Sequence, residues 1–140
     1  MKRNCLTIAL ALISFTSCKK DATSTVSLNE TVDTTVAITQ KTGNFINGPY
    51  GAVSGEAKIY EEKGVFTLSL QNMDITNGPD LHVYISKEKL PVNFIDLGKL
   101  KSIKGNQVYT IPGMPDFTAY KYALVHCQQY NHLFGSALLQ

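Results

Sequence analysis

Three cysteines and three histidines are the side chains of this 140-residue sequence best suited to hold a metal or pass an electron. Cys127 closes the run Tyr122-Ala123-Leu124-Val125-His126-Cys127, which reads as a strand. Successive strand side chains point to opposite faces, so Tyr122, Leu124 and His126 share one face and Ala123, Val125 and Cys127 the other. Cys127 therefore keeps small, apolar company, and two chemistries stay open for it: a packed inert thiol, or a redox-active or ligating one. Soft sulfur with imidazole from His82, His126 or His132 would suit copper, zinc or haem iron. Adjacency works against a shared ion, because only a bulge or a strand end would turn His126 and Cys127 to one side. No CxxCH attachment motif occurs, which excludes covalent c-type haem. No metal site is assigned; haem or a metal is allowed as cofactor but not demanded.

Other candidates carry less. Asp80, after Gly78-Pro79, is expected to satisfy backbone donors in its own turn. Glu61 and Glu62 belong to a solvated hairpin turn, and the seven tyrosines are expected to be half-buried strand residues with a wet hydroxyl. There is no phosphate-cradling glycine loop, serine nucleophile elbow or zinc-protease helix, so the motifs do not ask for an enzyme.

The compartment decides what a lone thiol means. Lys2 and Arg3 precede Leu6 to Phe15, an apolar run too short for a permanent membrane helix, so residues 1–17 read as a signal peptide. The run ends in Phe15-Thr16-Ser17-Cys18, which resembles the lipobox of bacterial lipoproteins, where the cysteine is acylated and becomes the first mature residue. Phe15 departs from that pattern, since an aliphatic residue is usual there. Lys19-Lys20-Asp21 after the cysteine fits the same reading. The expected partner is a lipid bilayer held through Cys18, at the periplasmic or surface face of the bacterial envelope. Cys5 then leaves with the leader and Cys18 is consumed by lipid, so Cys127 is the only thiol of the mature chain and has no internal disulfide partner. Without Lys2 and Arg3 the thirteen basic side chains fall to eleven, equal to the eleven acidic ones. A neutral chain with no concentrated basic patch argues against nucleic acid.

Positioning falls to one small domain, because the chain can bury only one modest core. Residues 18–40 follow the leader as a threonine- and serine-rich tether, whose alternating end, Thr35 to Thr39, is the one part that would suit an edge strand. From Gly43 the period is two. Val53 to Tyr60 and Val65 to Gln71 flank the turn Glu61 to Gly64; Leu81 to Ser86, Phe94 to Leu97, Gln107 to Ile111, Tyr120 to Cys127 and Leu133 to Leu139 follow. About seven short strands between Gly, Pro and Asn turns predict an all-β fold, a small antiparallel sandwich or barrel-like domain over residues 41–140.

Four segments of this domain resemble the DM13 family, a β-rich extracellular module. They are Val53-Ser54-Gly55-Glu56-Ala57, then Asn77 to Ser86 (NGPDLHVYIS), then Asp96 to Lys101 with Gly105 to Pro112, and finally Tyr122 to Cys127 with Phe134 to Leu138. The resemblance implies a β domain that takes part in electron transfer, with the family cysteine, here Cys127, acting as a bare thiol or helping to hold a prosthetic group such as haem. His126 and His82 would then be the candidate co-ligands. The family often has a large aromatic where this chain has His126. A redox partner in the envelope follows from that implication; the alternative left by the residues alone is a non-catalytic binding or structural module.

Overall fold

Turn chemistry and alternation set the strands. Lys63 (φ 51°) and Gly64 (φ 79°) both take left-handed backbone, the two-residue turn that suits right-twisted strands, and they join β3 (Val53–Glu62) to β4 (Val65–Ile75). Glu61 accepts the Gly64 N–H at 2.6 Å and fastens that turn. A computed structural model describes residues 22–140. Beyond this hairpin it contains β1 (Leu28–Asn29), β2 (Ile38–Asn47), β5 (Leu81–Ser86), β6 (Phe94–Lys99), β7 (Lys104–Ile111), β8 (Tyr122–Cys127) and β9 (His132–Leu138). All nine form one sheet in the order β1-β7-β4-β3-β2-β9-β8-β5-β6, curled into a half-barrel, with no helix among the described residues. Every neighbouring pair is antiparallel except β1 and β7.

The all-β expectation holds, but with nine strands rather than about seven. The two additions are β1 and β2. Strand β2 lacks an apolar face, since only Phe45 of its ten residues is buried. What places it is backbone pairing: its first part runs along β3 and its last part along β9, so it joins the two halves of the sheet. Its start, Ile38 to Gln40, and all of β1 fall within the stretch expected as tether, as residues 22–40 of that stretch are part of the described structure.

The docking of this segment has a specific cause. The Ser102 hydroxyl, fully buried, lies 3.1 Å from the Ser24 carbonyl and 2.5 Å from that of Val26, and the Ile103 N–H donates to Ser24 at 2.9 Å. Glu30 accepts from Lys101 Nζ at 2.7 Å and from the Val108 N–H at 2.8 Å. Those bonds hold its carboxyl below the usual range, the Lys101 contact first. Close approach also needs Gly105: at φ +90° opposite Leu28, any Cβ there would run into the Leu28 backbone.

The interior of the curl is a single apolar cluster to which β3 contributes Val53, Ala57 and Ile59, β4 Leu68 and Leu70, β5 Leu81, Val83 and Ile85, and β8 Ala123, Val125 and Cys127. Strand β5 is buried on both faces. The segment expected as a signal peptide and Cys18 lie outside the described residues.

Gly105→Ala should detach the N-terminal segment without unfolding the domain. Amide exchange tests this: protection should fall at Glu30, whose N–H donates to Asn106 at 3.0 Å, and at Ile103, while β5 and β8 keep theirs. Undiminished protection at both amides would show that the segment does not depend on that glycine.

Candidate functional site

Strand β8 runs beside β5 in an unbroken antiparallel register that sets Leu81 opposite Cys127, His82 opposite His126 and Tyr84 opposite Leu124. The alternation then sorts chemistry by face. Inside lies Cys127, 1% exposed, the one cysteine among the described residues and unpaired. Outside lie His82, Tyr84 and His126, with Leu124 and Leu133 packed against Tyr84. The bulge that would bring His126 and Cys127 to one side does occur at this point, but in β9: Val125 pairs with Gly135 and His126 with Leu133, leaving Phe134 as the extra residue. Strand β8 keeps its own alternation, so the two candidate ligands face apart.

The outer face carries a polar network. His82 Nδ1–H donates to the Asp96 carboxylate, 3.1 Å from each oxygen, and its Nε2 lies 3.5 Å from Asp80 Oδ1. Asp80 also lies 3.9 Å from Lys99 Nζ. The Gln128 amide donates to Asp96 and to the Tyr84 hydroxyl, each at 3.2 Å, and Gly98 N–H adds a 2.8 Å bond to Asp96. Tyr84 stacks on Phe94 with ring centres 4.3 Å apart. Burial raises its phenol above the ordinary value, against the Gln128 hydrogen bond that lowers it, so Tyr84 stays neutral. Asp80 is thus not only a turn residue; it closes one side of a histidine held between two carboxylates. Asp96 and Gln128 are the members that sequence reasoning missed. Their only signal is the β5–β6 register, which shifts between His82 and Tyr84 and cannot be read from alternation.

His126 stands apart from this network. It is 4% exposed, and its Nδ1 is the one buried side-chain nitrogen or oxygen among the described residues without a hydrogen-bond partner. Burial lowers its pKa; the neighbouring Asn131 side chain opposes this, and the nearby His132 and His82 add to the lowering. The neutral ring lines a cleft of about 320 Å³ bordered by the β2–β3 and β5–β6 loops. His132 lies on the rim, stacked on Tyr50 at 3.6 Å between ring centres. A second hollow, about 370 Å³ at Asn47, Asp74 and Thr76, holds no histidine or cysteine.

A prosthetic group held jointly by Cys127 and either histidine does not fit this arrangement. The sulfur belongs to the packed interior, both rings lie across the sheet from it, and His82 has its nitrogens turned to Asp96 and Asp80. Among the described residues no three His, Cys, Asp or Glu side chains are grouped as metal ligands. The site can instead place a shielded thiol one sheet thickness behind a fixed polar wall.

A search of curated proteins and one of solved structures found no match to this chain. A family model does match: Electron transfer DM13, over residues 44–139, which takes in β3 to β9 and nearly all of the sheet. That span is well over half of the sequence and contains Cys127, both β5 histidine neighbours and the β8–β9 pair, so the chain belongs to the DM13 family of electron-transfer domains.

Proposed function

We propose that this protein is a lipid-anchored electron-transfer module of the bacterial envelope, in which acylated Cys18 holds the domain at a membrane and Cys127 is the group that changes redox state. The observation that carries the thiol assignment is its placement. Disulfide exchange needs a thiolate to reach a second sulfur in line, and a sulfur that is 1% exposed with no second thiol among the described residues is poorly placed for it. An electron needs no such contact. Oxidation of the thiol by one electron breaks its S–H bond and leaves a sulfur radical; the electron passes to an oxidised envelope protein, and the proton leaves the interior for solvent. The Cys127 side chain lies directly behind the β5–β8 outer face, where the exposed Gln128, hydrogen-bonded to the buried Tyr84, offers a partner a fixed, uncharged contact.

The anchored reading also gives a geometry. Thr23 is already tied to the domain, accepting from Asn77 Nδ2 at 2.9 Å through its carbonyl. Four residues lie between it and Cys18, five steps along the chain and a reach of about 18 Å at full extension. The domain would ride close to the bilayer instead of swinging on a long tether. The second reading, a non-catalytic binding module, is favoured by the His126 cleft.

Two measurements test the proposal. Cys18→Ala should abolish incorporation of a fatty-acid analogue, because the acyl chains attach there; equal labelling of wild type and variant removes the anchor. In voltammetry, the wild type should give a wave that Cys127→Ala lacks while the variant still folds. Cys127→Ser should cost roughly 1 to 3 kcal/mol of stability, since a hydroxyl replaces sulfur in an apolar interior, with Cys127→Ala milder. Slow native thiol labelling together with no wave would leave Cys127 as a packing residue and end the electron-transfer assignment for it.

A further inference from the structure

The cleft at His126 belongs to neither the thiol nor the His82 network, and its chemistry is specific. Its walls are Pro49 and Tyr50 from the β2–β3 loop, Leu90, Pro91 and Val92 from the β5–β6 loop, and Leu133 from β9. None of these is charged, so an ionic ligand would gain nothing to offset its lost hydration. Rigid prolines and a tyrosine offer flat apolar surface, the lining that suits a ring. The volume of about 320 Å³ limits the occupant to a small molecule.

His126 supplies the polar element. The neutral ring carries one N–H and one lone pair, and its Nδ1 is the atom without a partner. A buried ring nitrogen with no partner is a defect that folded proteins rarely keep without use. With the ring proton on Nε2, Nδ1 accepts from a hydroxyl and repels a carbonyl oxygen. Nδ1 is closed to solvent, so a ligand must part the rim to reach it. The rim suits that: Leu90 and Val92 are exposed, Val92 at 71%, on a loop fastened at its base by Lys87 N–H to Asn93 at 2.9 Å and by Asn93 Nδ2 to Glu88 at 2.9 Å. The loop is pinned at its ends and free of core contacts at its tip.

We infer that this cleft binds a small, uncharged aromatic ring bearing a hydroxyl group, the hydroxyl donating to His126 Nδ1 and the ring lying between the proline, tyrosine and Val92 walls. The inference is independent of the redox role of Cys127, which lies on the other side of the sheet.

The test compares 4-methylphenol with 4-methylanisole, which present the same ring with and without the donor, by titration of the full ¹⁵N-labelled chain. Expected is a shift of the His126 Nδ1 resonance with 4-methylphenol, amide shifts at Val92, Asn131 and Leu133, and binding of 4-methylanisole weaker by about tenfold, the effect of one hydrogen bond to a buried acceptor. His126→Phe, which keeps an aromatic ring in place, should erase the preference for the phenol. Val92→Asp, at an exposed position that leaves folding intact, should weaken both compounds alike. Equal affinities of the two compounds in wild type would overturn the proposal, as would shifts centred elsewhere or no binding of the phenol. A proline-rich peptide that shifts these amides when the phenol does not would make the cleft a peptide groove and overturn it equally.

Discussion

The fold turns on a four-residue connection. Strand β6 is one edge of the sheet and β7 lies next to the other edge, yet only residues 100–103 join them. Nine strands laid flat would put those edges several strand spacings of about 4.8 Å apart, beyond what four residues span. The sheet must curl until its ends meet. The connection is held by buried polar groups: Gln107 Oε1 accepts from Lys101 N–H at 3.1 Å, from Ser102 N–H at 3.3 Å and from the Tyr109 hydroxyl at 2.7 Å, while its Nε2 donates to the Ser102 carbonyl at 2.7 Å. Tyr109 is buried enough that its phenol is pushed far above its ordinary value. Leu100 N–H donates to Leu81 and Ile103 accepts from Ile75, so the connection is also sewn to β5 and to the end of β4.

Everything at the candidate site follows from that curl. Closing the sheet puts the inner residues of β5 and β8 against those of β3 and β4, which is why Leu81, Val83, Val125 and Cys127 share one cluster. It also fixes Leu81 at the corner, so that Asp80 and His82 on either side of it are carried to the outer face. The Asp80 carbonyl accepts the Gln128 N–H at 2.9 Å, tying the residue after Cys127 to the residue before Leu81. The thiol and the polar wall are therefore held by one pair of strands at one register, and neither can shift without the other.

The legible part of this arrangement was whatever depended on a single strand. Alternation in Tyr122 to Cys127 assigns Cys127 to the interior and His126 to the opposite face, and the structure agrees because both faces of β8 are covered and a slip of one residue would exchange them. Strand β2 was not legible, because Thr39 and Asn44 are exposed, Lys41 and Thr42 are only half-buried, and the strand exists through backbone pairing on both sides. Nor was β1, whose flanking residues Val26 and Glu30 are held by Ser102, Lys101 and Val108 from distant parts of the chain. The polar network failed for a related reason. His82, Asp96 and Gln128 lie on three different segments, and only the pairing of those segments brings them together. The His126 cleft joins loops from opposite sides of the sheet order, with no sequence signal at all.

An unpaired thiol is open to every oxidant that can touch it, and the fold excludes them by burying the sulfur. The same exclusion limits what the sulfur can do. Contact chemistry, whether exchange with a second thiol or ligation of a bulky group, requires opening the core formed by Leu81, Val125 and their neighbours, with the loss of the packing that the curl creates. The proposed electron passage requires that a partner come near the β5–β8 wall and that one proton leave the interior, neither of which needs a second bulky group at the sulfur. Burial of Cys127 and the fixed Tyr84–Gln128–Asp96 array outside it are two consequences of one register, and the proposed function rests on the one chemistry of a thiol that tolerates being sealed away.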